Sequence, residues 1–93
     1  MNMPSVELLE MRHTFPCQYT MKAIGSTEGN FTARVIFAAR DELNLDDDPA
    51  FRIQTTKGGR HVSITLDPMF ESAQQVLALY SRLSQLDGLV MLL

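Results

Sequence analysis

The residue types with the most obvious chemistry are a run of carboxylates and a histidine–cysteine pair. Residues 46–48 are three consecutive aspartates followed by a proline. Calcium loops space their oxygen ligands and usually add a later glutamate, so this run indicates a solvated turn. His13 and Cys17 lie four positions apart, but structural zinc needs four ligands and no second pair accompanies them. The sequence therefore predicts no metal site and no cofactor, and Cys17 is expected to pack as a small apolar residue.

Polar side chains alternate with apolar ones in residues 15–24, 51–56 and 61–66. Strict alternation is the period of a half-buried strand, so each segment is predicted to be a strand with one polar face. The pattern fits either a solvated face or a docking surface for a carboxylate-bearing partner or a second copy of the chain. The residues that share this face by parity are Gln18, Thr20, Lys22, Arg52, Gln54, Thr56, His61, Ser63 and Thr65.

Helical spacing and turn residues predict the elements between these strands. Residues 31–45 carry an apolar stripe typical of a helix. Gly58-Gly59 separates two alternating runs and predicts a hairpin. Residues 72–75, Ser-Ala-Gln-Gln, have the form of a capping box that begins a second helix, and residues 89–93 are predicted to form a last strand.

The order of these elements predicts an α+β fold. Strand, helix, strand, strand, helix, strand is the βαββαβ order of ferredoxin-like folds. Right-handed crossovers place both helices on one face of a four-stranded antiparallel sheet with strand order 4-1-3-2. We expect a single domain over residues 15–93, preceded by a segment, residues 1–14, that begins a short helix after Ser5.

Composition limits the classes of function. A chain of 93 residues supports one compact core, and its net charge of −3 disfavours a dedicated nucleic-acid binder. A single cysteine cannot form an intrachain disulfide, which fits a reducing compartment. The N-terminus lacks the features of a signal peptide and no apolar run reaches the length of a membrane span, so we expect a cytoplasmic protein.

The loop that enters the first predicted helix is a second candidate site. Backbone N–H groups at a helix start attract anions and carboxylates, so Gly25, Ser26 and Asn30 are candidate ligand-binding residues. Glu28 works against an anion there. The alternative is a plain connection in which Asn30 caps the helix.

The last strand, residues 89–93, is apolar on both faces and is expected at an edge of the sheet. Such an edge is a pairing hazard unless something covers it. The cover is predicted to be either the N-terminal segment, through Val6, Leu9 and Met11, or a second chain in a homodimer.

Three ordered markers run from residue 15 to the end of the chain. They are Phe15-Pro16 with Lys22 and Ile24-Gly25; Lys57-Gly58 with Val62-Ser63-Ile64-Thr65; and Gln75-Val76, Leu79-Tyr80 and Leu83 with Val90-Met91-Leu92. Together they resemble the YbeD-like family of small bacterial proteins of unknown function. The resemblance implies a fold similar to the ACT regulatory domain, in which the loop corresponding to residues 25–30 often helps to bind an amino acid.

The resemblance implies no established catalytic residues. Family members usually carry an aromatic residue shortly after the hairpin glycine, where this chain has Gly59-Arg60-His61, so no role of that residue is carried over. We therefore predict a non-catalytic regulatory or adaptor module that binds a protein or small metabolite. The alternatives are a nucleic-acid-binding domain and an enzyme of acylphosphatase-like topology. Acylphosphatases use an arginine in the loop after strand one, and this chain has none between Arg12 and Arg34.

Overall fold

A computed structural model describes residues 3–93 as three helices and six strands. Their bounds are α1, Val6–Arg12; β1, Cys17–Gln18; β2, Met21–Ser26; α2, Phe31–Glu42; β3, Phe51–Thr55; β4, His61–Leu66; β5, Met69–Phe70; α3, Ala73–Ser84; and β6, Leu89–Leu92.

The main sheet has four strands in the order β3-β4-β2-β6, and every neighbouring pair is antiparallel. These are the second, third, first and fourth strands of the predicted βαββαβ unit, so the sheet agrees with the ferredoxin-like prediction. Helix α2 packs over β2 and β4, and α3 packs against α2 and β6. Both helices thus lie on one face and leave the opposite face of the sheet open.

The prediction of one continuous strand over residues 15–24 was wrong, because this segment divides into β1 and β2. The short β1–β5 ladder continues the β2–β4 ladder in register: Met21 pairs with Leu66, and three residues further Gln18 pairs with Met69. The interruption lies at Pro68, which has no N–H to donate to the ladder. Only the Pro68 carbonyl takes part there, accepting a hydrogen bond of 3.2 Å from the Tyr19 N–H.

A single apolar core fills the space between the sheet and the helices. Strand alternation supplies Met21 and Ala23 from β2 and Ile64 and Leu66 from β4, all fully buried. The helical stripes supply the residues that cover them, which include Phe31, Val35, Ala38, Val76, Leu79 and Leu83. The burial of alternate residues in β2 and β4 fixes which side chains face outward on the open side.

The ends of helix α2 differ from the prediction. The helix stops at Glu42 instead of residue 45, and Asn44 then adopts a left-handed conformation with φ of 53°, as is common just after a helix end. Asn30 precedes the helix in a left-handed conformation, with φ of 55°, instead of the extended conformation usual at an N-cap, and it makes no side-chain cap hydrogen bond. The predicted cap at Asn30 is therefore absent from this helix.

Helix α1 forms where the N-terminal segment was predicted to be helical, and the Ser5 hydroxyl accepts a hydrogen bond of 3.1 Å from the Leu8 N–H. Leu9 is buried and α1 packs against α3, so α1 does not lie along β6. The division at residue 14 stays a prediction. Within residues 3–93, no helix combines the length and apolarity needed to cross a bilayer.

Candidate protein-binding face

The open sheet face is built from two rows of residues that cross the sheet. Lys22 lies directly opposite Thr65, which lies opposite Arg52 on its other side. The second row lies two residues further along each strand, where Ser63 is opposite both Ile24 and Gln54. The open sheet face consists of Lys22, Ile24, Arg52, Gln54, Ser63, Thr65, Met91 and Leu93. The structure therefore brings together five of the nine predicted face residues, from three different strands.

Asp67 organises one end of this face, and the sequence prediction missed it. The Thr20 hydroxyl donates a hydrogen bond of 2.5 Å to Asp67 Oδ1, and Arg52 Nη1 lies 3.5 Å from Asp67 Oδ2. Thr20 is thus fixed beside the face and not free on it. Parity from Thr65 would have placed Asp67 on the same side, but the Asp-Pro pair was interpreted only as the end of a strand.

His61 lies at the other end of the face, half-buried and opposite Ser26. Its backbone N–H donates to the Thr56 hydroxyl at 3.2 Å, and its carbonyl accepts from the Thr56 N–H at 2.9 Å. Neither Ser26 nor Thr56 is a carboxylate that could make His61 a general base. The contacts of His61 close the hairpin.

The side of the face formed by β2 and β6 is apolar. The sequence prediction did not place Ile24 on this face. Ile24 lies opposite Met91, and Leu93 exchanges backbone hydrogen bonds of 3.0 and 2.8 Å with Lys22. We call Ile24, Met91 and Leu93 the apolar strip. Met91 and Leu93 are exposed, as is Val90 beside them. The predicted homodimer through residues 89–93 stays a prediction.

The loop of residues 25–30 is tied down on both sides. Thr27 donates from its hydroxyl to the Gly59 carbonyl at 2.8 Å, and the Ser26 N–H donates to the Gly88 carbonyl at 2.9 Å. Gly25 is buried, and a Cβ at this position would collide with the Phe31 ring. The Ser26 hydroxyl is occupied by the Glu28 N–H at 3.1 Å. Of the predicted ligand-binding residues, only Asn30 has an exposed side chain.

The titratable groups with shifted pKa values lie away from the open sheet face. Tyr80 on α3 has its hydroxyl 3.2 Å from that of Tyr19, in an aromatic cluster with Phe70. Burial, and then the hydrogen bond with Tyr19, raise the pKa of Tyr80 above its ordinary value. A phenol that stays protonated in a packed cluster stabilises the fold and offers no base to a substrate.

The aspartate run and the His13–Cys17 pair form no metal centre in the structure. Arg40 Nη1 lies 3.4 Å from Asp48 Oδ1, and Nη2 donates to the Asp46 carbonyl at 2.5 Å. The run therefore holds an arginine at the end of α2. Within residues 3–93, no group of three His, Cys, Asp or Glu side chains could hold a metal ion.

Comparison with known proteins shows the family of this chain. Residues 10–93 match the family model described as "Protein of unknown function (DUF493)". The chain belongs to the DUF493 family. This agrees with the YbeD-like resemblance of the sequence markers, since DUF493 proteins are small bacterial proteins of unknown function.

Two relatives agree with the family assignment. The DUF493 chain is 30% identical over 91 residues to the UPF0250 protein PM1928 of Pasteurella multocida, covering 98% of this chain and 100% of the relative. It is 29% identical to a UPF0250 protein of Shewanella sediminis, covering 88% of this chain and 86% of the relative.

The solution structure of HP0495 from H. pylori matches the fold with a TM-score of 0.61 at 15% identity, covering 87% of this chain and 85% of HP0495. That likeness confirms the ferredoxin-like class and carries nothing about function.

Proposed function

We propose that this DUF493 protein is a non-catalytic adaptor or regulatory module that holds a protein partner on its open sheet face. The observation that carries the proposal is the division of that face into the apolar strip and a polar, cationic part around Lys22 and Arg52. An exposed surface of this kind fits a partner that presents an apolar ridge flanked by carboxylates.

The charge of Lys22 is what points to carboxylates on the partner. Arg52 has its own counter-ion in Asp67, whereas Lys22 makes no ion pair among residues 3–93. Lys22 stands on a central strand next to Ile24, so a partner that covers the apolar strip also meets this ammonium group. Burying the ammonium without an opposite charge would be costly, so the partner is expected to supply one.

Nucleic acid is less well supported as the ligand of this face. Sheets of this topology that bind RNA stack bases on exposed aromatic side chains. The open sheet face carries none, since Phe51 pairs with Leu66 on the helix side of the sheet and Tyr19 packs against Tyr80. A metabolite in the loop of residues 25–30 has less support too, because the loop is held by the hairpin and by Gly88.

Site-specific photo-crosslinking in the bacterium that encodes the chain tests the proposal. A benzophenone amino acid replaces Ser63 or Met91 on the open sheet face, and Gln74 on α3 serves as the exposed control. We expect one partner to be captured from positions 63 and 91 and not from position 74. The captured protein is then purified, and its binding to the unmodified chain is measured by calorimetry. Capture from position 74 alone, or no binding by the purified protein, would contradict the proposal.

A further inference from the structure

Strand β3 is an unpaired edge of the main sheet. It is the terminal strand in the order β3-β4-β2-β6, and all five of its residues, Phe51–Thr55, are exposed. Edge strands present backbone N–H and C=O groups that can pair with another strand. Nothing among residues 3–93 pairs with the outer side of β3.

The free backbone groups of this edge can be assigned to particular residues. Thr56 donates its N–H to the His61 carbonyl, and the Ala50 carbonyl accepts from the Asp67 N–H, so both residues are bonded to the β4 side. Hydrogen-bonding direction alternates along an antiparallel strand. The N–H and C=O groups of Phe51, Ile53 and Thr55 therefore point away from β4, toward open space.

The same residues border a groove on the helix side of the sheet. Phe51 and Ile53 keep 41% and 48% of their surface exposed, although their pairing with Leu66 and Ile64 puts them on the core side. Phe51 thus points to the core side of the sheet but lies at an edge that no helix covers. Helix α2 lies over β2 and β4 and stops short of β3. A groove of about 620 Å³ remains, into which Phe37 also projects.

Charge is distributed unevenly along this edge. The aspartate run, residues 46–48, lies just before β3, and Lys57 and Arg60 form the hairpin tip just after it. No aspartate or glutamate occurs between Phe51 and Leu66. The edge is therefore acidic at its start and basic at its end. A strand that pairs with it in antiparallel orientation must be acidic near Lys57 and basic near Asp46.

We propose that the strand on this edge is β3 of a second copy of the chain, related by a two-fold axis. Antiparallel pairing with Ile53 opposite the partner's Ile53 brings Phe51 opposite the partner's Thr55. Each aspartate run then lies beside the partner's basic hairpin tip. The charge distribution of the edge is complementary to itself only in this orientation, which is the property of an isologous interface.

Cross-strand neighbours fit this register. Arg52 lies opposite the partner's Gln54, so no two like charges stand directly opposite each other on the open side. The two main sheets join into one sheet, and the two open sheet faces point to the same side. The pair leaves Lys22, Met91 and the rest of the open sheet face uncovered, so the dimer does not depend on the proposed function.

Analytical ultracentrifugation on charge-reversed variants tests the pairing. One variant, Lys57→Glu with Arg60→Glu, makes the whole edge acidic; the other, Asp46→Lys with Asp47→Lys, makes it basic. All four side chains are exposed, so both variants are expected to fold. The dimer dissociation constant of each variant alone should rise at least ~10-fold, because like charges now meet across the axis. An equimolar mixture of the two should form a heterodimer, which rising ionic strength weakens.

A backbone variant gives an independent test. Ile53→Pro removes an N–H that points outward and leaves the β3–β4 hydrogen bonds in place, whereas Ile53→Val keeps that N–H and serves as the control. Ile53→Pro should dissociate the dimer and Ile53→Val should not. A monomeric wild type at millimolar concentration, or a dimer that Val90→Glu dissociates and Ile53→Pro does not, would overturn the proposal.

Discussion

Arg52 and Asp67 form an ion pair on the open sheet face, with Arg52 Nη1 3.5 Å from Asp67 Oδ2. Asp67 also accepts the hydrogen bond from Thr20, so its carboxylate is engaged on both oxygens. Lys22 therefore remains as the cation of this face that makes no ion pair among residues 3–93. The proposed partner contact depends on this difference between Lys22 and Arg52.

Reversing the charge at Lys22 should weaken partner binding. Lys22→Glu replaces an attraction to the partner's carboxylates with a repulsion, and we expect the dissociation constant to rise at least ~10-fold. Arg12→Glu on α1 changes the net charge by the same amount at an exposed position outside the face, and it should bind like the wild type. Calorimetry with the purified partner measures both. Equal effects of the two variants would mean that net charge, and not the face, controls binding.

Shortening Met91 tests the apolar strip separately from the charge. Met91 lies opposite Ile24, and Met91→Ser removes apolar surface that the partner is expected to cover. Loss of that burial should cost about 1–2 kcal/mol of binding free energy. Met11→Ser makes the same chemical change at an exposed position on α1. An unchanged dissociation constant for Met91→Ser would remove the apolar strip from the interface.

Gly25 should be intolerant of a side chain. A Cβ at this position would collide with the Phe31 ring and lie 2.7 Å from the Gly88 carbonyl oxygen. Overpacking of this kind costs about 1–3 kcal/mol of the free energy of unfolding. Gly58→Ala is the matched control, since nothing lies within 4 Å of the Cβ it adds. Urea unfolding compares the two, and equal stability would show that the contact with Phe31 relaxes freely.

The Tyr19–Tyr80 pair should make the fold sensitive to alkali. The folded state holds Tyr80 protonated, because burial and the Tyr19 hydroxyl raise its pKa. The unfolded chain releases this proton near pH 10, so the contribution of Tyr80 to the free energy of unfolding is complete below about pH 10 and falls as the pH rises further. Tyr80→Phe should lower the free energy of unfolding by about 1 kcal/mol at neutral pH, because the hydrogen bond with Tyr19 is lost. Its free energy of unfolding should then fall less steeply in alkali than that of the wild type.

Urea titrations of the wild type and Tyr80→Phe at several pH values from 7 to about 11 measure this difference. The two proteins differ only in the Tyr80 hydroxyl, so a difference in their pH dependence reports the loss of that group. Parallel pH dependence of the two curves would contradict the role assigned to the raised pKa.

Much of the fold follows from short-range patterns in the sequence. Alternation in residues 61–66 gives the correct face for Ser63 and Ile64, because the period of a strand is two and one face is buried. The Ser72 half of the predicted capping box is also present, since the Gln75 N–H donates to the Ser72 hydroxyl at 3.2 Å, whereas Gln75 Oε1 accepts from the Glu71 N–H at 2.8 Å. These features depend on neighbours in the chain, which a single sequence displays.

The features that the sequence did not predict depend on contacts between distant segments. Whether Phe51 is covered depends on where α2 lies over the sheet, and alternation gives only the side to which Phe51 points. The ladder break opposite Tyr19 comes from Pro68, which only the pairing of β1 with β5 brings there. The role of Asp67 likewise requires Thr20 and Arg52 to be neighbours in space.

Backbone NMR can map where a protein partner contacts the chain and so tests whether it binds the open sheet face. Amide shifts of the isotope-labelled chain are recorded while the purified, unlabelled partner is added. We expect the largest changes at Lys22, Ile24, Ser63 and Met91, and Lys22→Glu should abolish them at the same concentrations. Changes confined to residues 25–30 or to the outer surfaces of α2 and α3 would contradict binding at the open sheet face.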